Sequence, residues 1–331
     1  MSYTIGIDLG ATNTKVAAFA PDGRLIAKRT RSTATGGAGV SPACVPASVS
    51  LADPLGHQDG LPHYAGDQTP PAFALGVREV IREIESAQGA PASHVGLAAP
   101  GLAARDGRSI AFMPGRFVGL EGFDWPAFLG RPAPVLNDAH AALLGEVWQG
   151  AAAGLQNVIM LTLGTGVGGA ILADGRLLRG HIGRAGHLGH VCLDPNGAPD
   201  ITRIPGSIED AIGNHNIRER TSGRFATTHD LLAAYGAGDP AAAQVWLQSV
   251  RALGCAIASY VNVLDCEAVV LGGGIALAGQ ALFEPLQQVL DEVEWQPAGH
   301  RVRLLPAKLD DWAGAYGAAW QAMNAIPQAT A

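Results

Sequence analysis

Short apolar runs alternate with longer amphipathic stretches along this chain, and the two patterns predict different elements. The short runs predict strands at His94–Ala99, Ala133–Leu136, Ala268–Leu271 and Val302–Leu305. The longer stretches predict helices at Ala72–Gln88, Ala139–Trp148, Ala241–Val261, Phe283–Val293 and Gly314–Asn324. Because strands alternate with helices, the pattern predicts an α/β fold.

One pattern occurs twice. A strand runs into a turn of glycine and threonine, a second strand follows, and an Asp-Gly hairpin leads into a third strand. The first copy is Ile7–Ile26 and the second is Leu161–Leu178. The duplication predicts two related lobes that face each other across a cleft, a smaller one of residues 1–135 and 312–331 and a larger one of residues 136–311.

The segment at residues 34–71 has a different character. It is rich in Gly, Pro, Ala and Ser and shows no sustained hydrophobic period. A structureless stretch of this length inside a compact domain is usually a functional flap or a disordered insert. We expect a flexible insert at the rim rather than a lid.

The composition of the chain bears on which kinds of partner and compartment to expect. The chain has 331 residues, 48% of them hydrophobic, and a net charge of -7. Since no run of Lys and Arg stands out, we expect no nucleic-acid partner. A predicted strand follows Met1 directly, without a signal-peptide pattern, and Gly, Pro or charge interrupts the apolar stretches well short of a membrane span. Four widely spaced cysteines without a CxxC pair suit a reducing compartment, so we expect a cytoplasmic protein with no membrane partner.

The turn in the first copy of the repeat has the composition of a phosphate site. Glycine lets a ligand approach the backbone, and successive N–H groups in a tight turn form a concavity for phosphate oxygens. Asp8, at the end of the strand, can hold Mg²⁺ through water. A plain hairpin would need neither Asp8 nor Lys15. The candidate ligands of ATP here are Asp8, Gly10, Ala11, Thr12, Asn13 and Lys15.

The turn in the second copy, Gly164-Thr165-Gly166, begins a formal GxGxxG pattern. A dinucleotide site needs a helix directly after this pattern, whereas a strand and a hairpin follow here, which excludes that reading. We expect Gly164, Thr165 and Gly166 to bind phosphate as well. Further on, Gly272, Gly273 and Gly274 are consecutive. A plain turn needs one or two glycines, so three favour close contact with adenine or ribose.

Asn137 and Asp138 end a strand and open a helix. Such residues are routine helix caps, but the carboxyl end of a strand in an α/β sheet is also where ligands bind. His187 and His190 lie three residues apart among glycines. Hydrogen bonding to a substrate, zinc binding and a structural role are all open for them, although further ligands at zinc spacing are missing.

Together these motifs resemble the ROK family of sugar kinases and regulators, in the actin/hexokinase/Hsp70 superfamily. The resemblance covers nearly the whole chain apart from the 34–71 segment. It rests on Asp8-Leu9-Gly10-Ala11-Thr12, Pro100-Gly101, Leu136-Asn137-Asp138-Ala139, Leu163–Gly169, Gly189-His190, Gly272–Gly274 and Gly314–Ala319.

The resemblance implies a two-lobed actin-like (ribonuclease H-like) ATPase fold and ATP-dependent phosphorylation of a hydroxyl group of a hexose or small polyol. It makes Asp138 the catalytic base and ATP with Mg²⁺ the cofactors, and we expect a homodimer. The substrate contacts it implies are Gly101, Asn137, Asp138, His187, His190 and Glu209.

Three departures from the family pattern concern the sugar and the metal. His187 stands where the family has a sugar-binding Glu, and Pro114-Gly115-Arg116 replaces its Pro-Asn-Leu. The family's zinc loop has become Cys192–Pro199, which lacks the clustered cysteines. We therefore expect no zinc site and a preference for a different hydroxyl pattern or an altered ring. A sugar sensor without kinase activity, and a kinase that uses polyphosphate, remain the alternatives.

Overall fold

The structure, a computed structural model, describes residues 2–33, 69–113 and 117–325. Most of the predicted insert at 34–71, and Pro114-Gly115-Arg116, lie outside the described residues. The strands are β1 (Thr4–Leu9), β2 (Asn13–Phe19), β3 (Leu25–Ser32), β4 (His94–Ala99), β5 (Leu102–Ala103), β6 (Ile110–Phe112), β7 (Val135–Asn137), β8 (Val158–Leu163), β9 (Val167–Ala173), β10 (Arg176–Leu177), β11 (Ala268–Gly272) and β12 (Arg303–Pro306).

The helices are α1 (Ala72–Gln88), α2 (Trp125–Leu129), α3 (Asp138–Gln149), α4 (Ile208–Ile212), α5 (Ile217–Arg220), α6 (Thr228–Gly236), α7 (Pro240–Leu264), α8 (Gln280–Val293) and α9 (Ala313–Asn324). The five helices predicted above correspond to α1, α3, α7, α8 and α9, with ends that differ by a few residues. Residue contacts divide the chain into an N-unit, Met1–Trp148 with Trp312–Ala331, and a C-unit, Gln149–Asp311.

The N-unit extends further than the predicted 1–135. The additional residues, 136–148, contain the last two residues of β7 and nearly all of α3. β7 pairs in parallel with β4, and α3 packs so closely on α9 that a Cβ atom at Gly317 would overlap Ala141 O. These contacts tie α3 to the N-unit.

The two units contain sheets of the same topology. In the N-unit the strand order is β3-β2-β1-β4-β7, and in the C-unit it is β10-β9-β8-β11-β12. In both sheets the hairpin strands are antiparallel, while the first strand of the hairpin pairs in parallel with the strand on its other side. The predicted duplication therefore extends to the whole five-stranded sheet.

The last helix covers one face of the N-unit sheet. Gly6 in β1 and Gly96 in β4 make this possible, because a Cβ atom at either position would overlap a backbone oxygen of α9. The apolar side of α1, which carries Val77, Ile81 and Ile84, is buried in the core of the same unit. The sheet is thus held between helices, and its strand ends are fixed in place.

Helix α7 forms much of the C-unit core. The fully buried side chains on this helix include Trp246, Val250, Leu253 and Ile257. Full burial of an aliphatic side chain stabilises the folded state by about 1.5–3 kcal/mol. With 25 residues and Arg251 as its one charged side chain, α7 is long and apolar enough to cross a membrane by length and composition. The prediction that every apolar stretch falls well short of a span is therefore wrong for α7, which packs in a protein core.

Candidate active site

The carboxyl ends of three parallel strands meet at one edge of the N-unit sheet. β1 ends beside Asp8, β4 leads to Gly101, and β7 ends at Asn137. The predicted residues of the N-unit are thus brought to the same edge, where open α/β sheets bind ligands.

Asn137 organises the junction between β7 and α3. Its side chain is 5% exposed, and its Oδ1 accepts hydrogen bonds from the N–H groups of Ala139 (3.0 Å) and His140 (3.1 Å). Its Nδ2 donates to Gly101 O and to Asp138 Oδ1, both at 2.9 Å. Asn137 therefore caps the helix, connects β4 to β7 and orients Asp138.

The carboxylate of Asp138 is exposed at the start of α3. Its hydrogen bonds from Ala139 N (2.8 Å) and Asn137 Nδ2 both reach Oδ1, which leaves Oδ2 to accept a proton. The surrounding protein desolvates this carboxylate and raises its pKa, although the two hydrogen bonds oppose the shift. Asp138 is consequently a stronger base than an ordinary aspartate, even though its side chain stays accessible.

The first predicted phosphate turn is braced by a residue that the sequence did not indicate. Thr33, just after β3, donates from Oγ1 to Gly10 O (2.8 Å) and from its N–H to Thr12 O (2.8 Å). Within the turn, Gly10 N donates to Asn13 O (3.1 Å), while the side chains of Ala11, Thr12 and Asn13 are exposed. The turn is rigid on its protein side and open on the other.

Asp8 lies at the start of α9. A Cβ atom at Gly314, in the first turn of that helix, would be only 2.7 Å from the Asp8 carboxylate carbon. Lys15 on β2 is the cross-strand partner of Asp8 in the β1–β2 register. A carboxylate is favoured at a helix N-terminus by the helix dipole, so the start of α9 is a suitable position for Asp8.

The second turn is held by the segment that follows α4. Gly164 N donates to Gly166 O (2.9 Å), and the N–H groups of Asn214 and His215 donate to Gly164 O and Thr165 O, both at 2.9 Å. This bracing fixes the backbone of the turn from outside.

Glu209 lies against this second turn. It is 9% exposed, and its Oε2 accepts from Val167 N at 2.9 Å. A Cβ atom at Gly166 would overlap the same carboxylate, so a larger residue there would displace the Glu209 side chain. The structure thus places Glu209, a predicted sugar ligand, beside residues predicted to bind phosphate.

The protein itself explains one of the three consecutive glycines. Gly273 has φ +85°, and a Cβ atom there would overlap the backbone of Leu163 at the end of β8. Gly272 sits closely between Met160 and Ala307, whereas a Cβ atom at Gly274 would meet nothing within 4 Å. The fold therefore does not require glycine at position 274, and the predicted contact with adenine or ribose stays a prediction there.

His187 immediately precedes a short 3-10 helix, Leu188–His190, and His190 is the last residue of that helix. Burial lowers the pKa of His187, with smaller contributions from His190 and Arg184, so its ring is neutral at physiological pH. His190 Nδ1 lies 2.8 Å from Asp200 Oδ2. Asp200 is a second residue that the sequence did not indicate.

The residues around His190 do not fit zinc. Its Nδ1 is engaged by Asp200, and the exposed Cys192 is the one thiol within a few residues of it. Among residues 2–33, 69–113 and 117–325, no group of three or more His, Cys, Asp or Glu side chains is arranged to hold a metal ion. A structural zinc site needs four such ligands.

Comparison with known proteins places the chain in a family. The sequence model of the ROK family matches residues 61–325. The chain belongs to the ROK family. Glucokinase from Thermotoga maritima is 30% identical over 305 residues, which cover 86% of each chain. N-acetylmannosamine kinase from Escherichia fergusonii is 30% identical over 322 residues, 96% of this chain and 97% of the relative.

Solved structures agree with this assignment. The ROK hexokinase from Thermus thermophilus superimposes with a TM-score of 0.80 at 28% identity, covering 99% of this chain and 100% of that chain. The predicted ROK membership and the predicted actin-like ATPase fold are therefore confirmed. The roles of individual site residues remain predictions.

Proposed function

We propose that this ROK protein transfers the γ-phosphoryl group of ATP to a hydroxyl group of a hexose or related small polyol, with Asp138 as the general base. Carbohydrate kinase activity as a class is confirmed by the glucokinase and N-acetylmannosamine kinase relatives that match over most of their length. The observation that carries the assignment of the base is the Asp138 carboxylate, which is accessible, oriented through Oδ1 and more basic than usual. A sugar sensor without kinase activity is not favoured.

In the proposed reaction, Asp138 Oδ2 accepts the proton of the attacking sugar hydroxyl. The oxygen of that hydroxyl bonds to the γ-phosphorus as the bond between the γ-phosphorus and the oxygen that bridges it to the β-phosphate breaks. Phosphoryl transfer depends mainly on positioning and electrostatics, so the protein needs one well-placed base rather than a covalent intermediate. Asn137 supports this role because it holds Asp138 by a hydrogen bond of 2.9 Å.

The two glycine-rich turns would hold the phosphates of ATP. Ala11, Thr12 and Asn13 are exposed in the N-unit and Thr165 is exposed in the C-unit, so each turn is accessible to a phosphate group. The open position at Gly274 would receive adenosine. Asp8, a half-buried carboxylate that water can reach, fits a Mg²⁺ ion held through water, and such an ion would neutralise charge on the phosphates.

For the sugar we propose contacts from Gly101, Asn137 and Asp138 in the N-unit and from His187, His190 and Glu209 in the C-unit. A neutral His187 offers one donor and one acceptor, whereas the carboxylate of the family pattern accepts from two hydroxyls. The substrate would therefore be a hexose or amino sugar whose hydroxyl pattern or ring substituent differs from that of glucose.

We also propose that the enzyme works as a cytoplasmic homodimer. Support comes from apolar side chains that the C-unit leaves exposed, among them Val263, Leu277 and Trp295. Sedimentation velocity would test this, and a mass that stays monomeric at micromolar concentration would refute it.

The proposed reaction can be tested with a coupled ADP assay over a panel of hexoses, N-acetylhexosamines and polyols, with ATP and Mg²⁺. We expect strong sugar-dependent ADP release with one member of the panel and weaker release with its epimers. Polyphosphate in place of ATP serves as the donor control. The absence of sugar-dependent ADP release across the panel would refute the proposed function.

A further inference from the structure

Asp200 is almost completely buried beside His190. Its side chain is 1% exposed, that of His190 is 22% exposed, and Asp200 Oδ2 lies 2.8 Å from His190 Nδ1. A carboxylate buried next to a histidine is costly unless its hydrogen bonds are satisfied, so its surroundings should explain why it is there.

The second oxygen of Asp200 is fixed by the loop that follows. Oδ1 accepts from Thr202 N (2.7 Å), Thr202 Oγ1 (2.8 Å) and Ile204 N (3.0 Å). The loop is closed on itself as well, since Asp200 N donates to Ile204 O at 2.9 Å. The carboxylate is therefore held in one orientation, with Oδ1 toward the loop and Oδ2 toward the histidine.

These contacts determine the charge of Asp200. Burial alone would raise its pKa, but the hydrogen bonds from His190, Thr202 and Ile204 outweigh that effect and hold the pKa below its usual range. The carboxylate is ionised, and an ionised carboxylate only accepts hydrogen bonds. The hydrogen atom in the 2.8 Å contact must therefore sit on His190 Nδ1. In the neutral ring, Nε2 then carries a lone pair.

We propose that Asp200 is a positioning residue for substrate recognition, which fixes His190 in the tautomer whose Nε2 accepts a hydrogen bond from a sugar hydroxyl. The inference rests on the proposed function, in which His190 contacts the sugar. The same contact occupies Nδ1, so Nε2 is the one ring nitrogen of His190 that keeps a lone pair.

Replacement of Asp200 by Asn makes the proposal testable. The three donors that surround Oδ1 would keep the amide oxygen at that position, so the NH₂ group would face His190 Nδ1. An NH₂ group donates, which forces the neutral ring of His190 into the Nε2–H tautomer. The group presented to the sugar changes from an acceptor to a donor while the loop keeps its hydrogen bonds.

The expected result for Asp200→Asn is a KM for the sugar raised by about tenfold, with kcat changed by less than about threefold and KM for ATP unchanged. The matched control is Asp194→Asn. Asp194 lies in the same loop, is exposed and accepts one hydrogen bond from Asn196 N at 2.9 Å. The control should leave all three kinetic parameters at the parent values.

The tautomer can be observed directly by ¹⁵N correlation spectroscopy of the histidine rings, with the His190 signals assigned by their loss in His190→Gln. We expect Nδ1–H in the parent and Nε2–H in Asp200→Asn. An Nε2–H tautomer in the parent would overturn the proposal, and this result does not depend on whether the variant folds. Stoichiometric zinc bound to His190 in the parent would overturn it as well. An unchanged KM for the sugar in a folded Asp200→Asn would do the same. A parent that phosphorylates no sugar would instead refute the proposed function, while the spectra would still test the tautomer.

Discussion

Asp138→Asn should separate the catalytic role of this carboxylate from its effect on stability. Asparagine matches aspartate in shape, and its Oδ1 can still accept from Ala139 N and from Asn137 Nδ2, the contacts that orient the parent side chain. What is lost is Oδ2, the oxygen that would accept the proton. The variant should therefore fold normally and bind both substrates.

The size of the effect follows from the role. Loss of a general base costs typically 10² to 10⁴ in rate, which corresponds to about 3–5 kcal/mol of activation free energy. We expect kcat to fall by at least about a hundredfold, with KM values for sugar and ATP within about threefold of the parent.

The stability of the folded protein should rise in Asp138→Asn, whereas its turnover falls. Because the pKa of Asp138 is raised in the folded protein, the folded state binds a proton more tightly than the unfolded chain does. Between the unfolded pKa of about 3.9 and the higher folded pKa, stability falls as pH rises, and above the folded pKa the full penalty persists. Asp138→Asn removes this penalty, so its Tm at pH 7 should equal or exceed that of the parent, and the difference should vanish near pH 3.5 to 4.

The measurements are steady-state kinetics with the coupled ADP assay and calorimetric Tm at pH 7 and near pH 4. Asp106→Asn is the control, since Asp106 is an exposed N-unit aspartate that accepts one backbone hydrogen bond, from Arg108 N at 2.9 Å. Asp106→Asn should leave both kcat and Tm at the parent values. Turnover of Asp138→Asn within a few-fold of the parent would refute the assignment of the base. A Tm clearly below that of the parent at pH 7 would refute the electrostatic argument.

Four further predictions concern the turns and the sugar contacts. Gly166→Ala should displace the Glu209 carboxylate and raise the KM values for sugar and ATP by about tenfold or more, and unchanged kinetics would contradict the close contact. Thr33→Val removes the hydroxyl hydrogen bond to Gly10 O, so it should cost about 1 kcal/mol in chemical denaturation and raise KM for ATP more than KM for the sugar. Because burial lowers the pKa of His187, sugar affinity should hold down to a pH below about 6.5 and then weaken as the ring gains its proton. His187→Glu should shift kcat/KM toward glucose over a sugar panel, and an unchanged order of preference would mean that His187 does not contact the sugar.

The sequence predicted those parts of the site that depend on local pattern. The turns at Gly10 and Gly164, and Asp138 at the start of a helix, could be recognised because glycine, threonine and aspartate have positional preferences that neighbouring residues reveal. The duplicated hairpin also followed from local signals. The extension of that duplication to β11 and β12 did not, because parallel pairing joins strands that are far apart along the chain.

The supporting residues were missed for a related reason. Thr33 and Asp200 act across loops, on partners 23 and 10 residues away. Nothing in the composition around either residue distinguishes it from an ordinary polar loop residue. In contrast, Gly272–Gly274 could be recognised from the sequence as unusual, but all three glycines were assigned the same role, close contact with adenine or ribose. The structure separates Gly273, which the fold requires, from Gly274, which it does not.

The path of the chain through the N-unit has a consequence during synthesis. Helix α9 covers the sheet at Gly6 and Gly96 and lies beside Asp8, but it is translated about 160 residues after the rest of that unit, once the continuous C-unit segment is finished. At typical translation rates the ribosome needs roughly 10–30 s for that stretch, during which one face of the nascent sheet lacks its helix. The C-unit can fold first, whereas the N-unit sheet receives the helix that packs on Gly6, Gly96 and Asp8 only after the whole C-unit segment has been made.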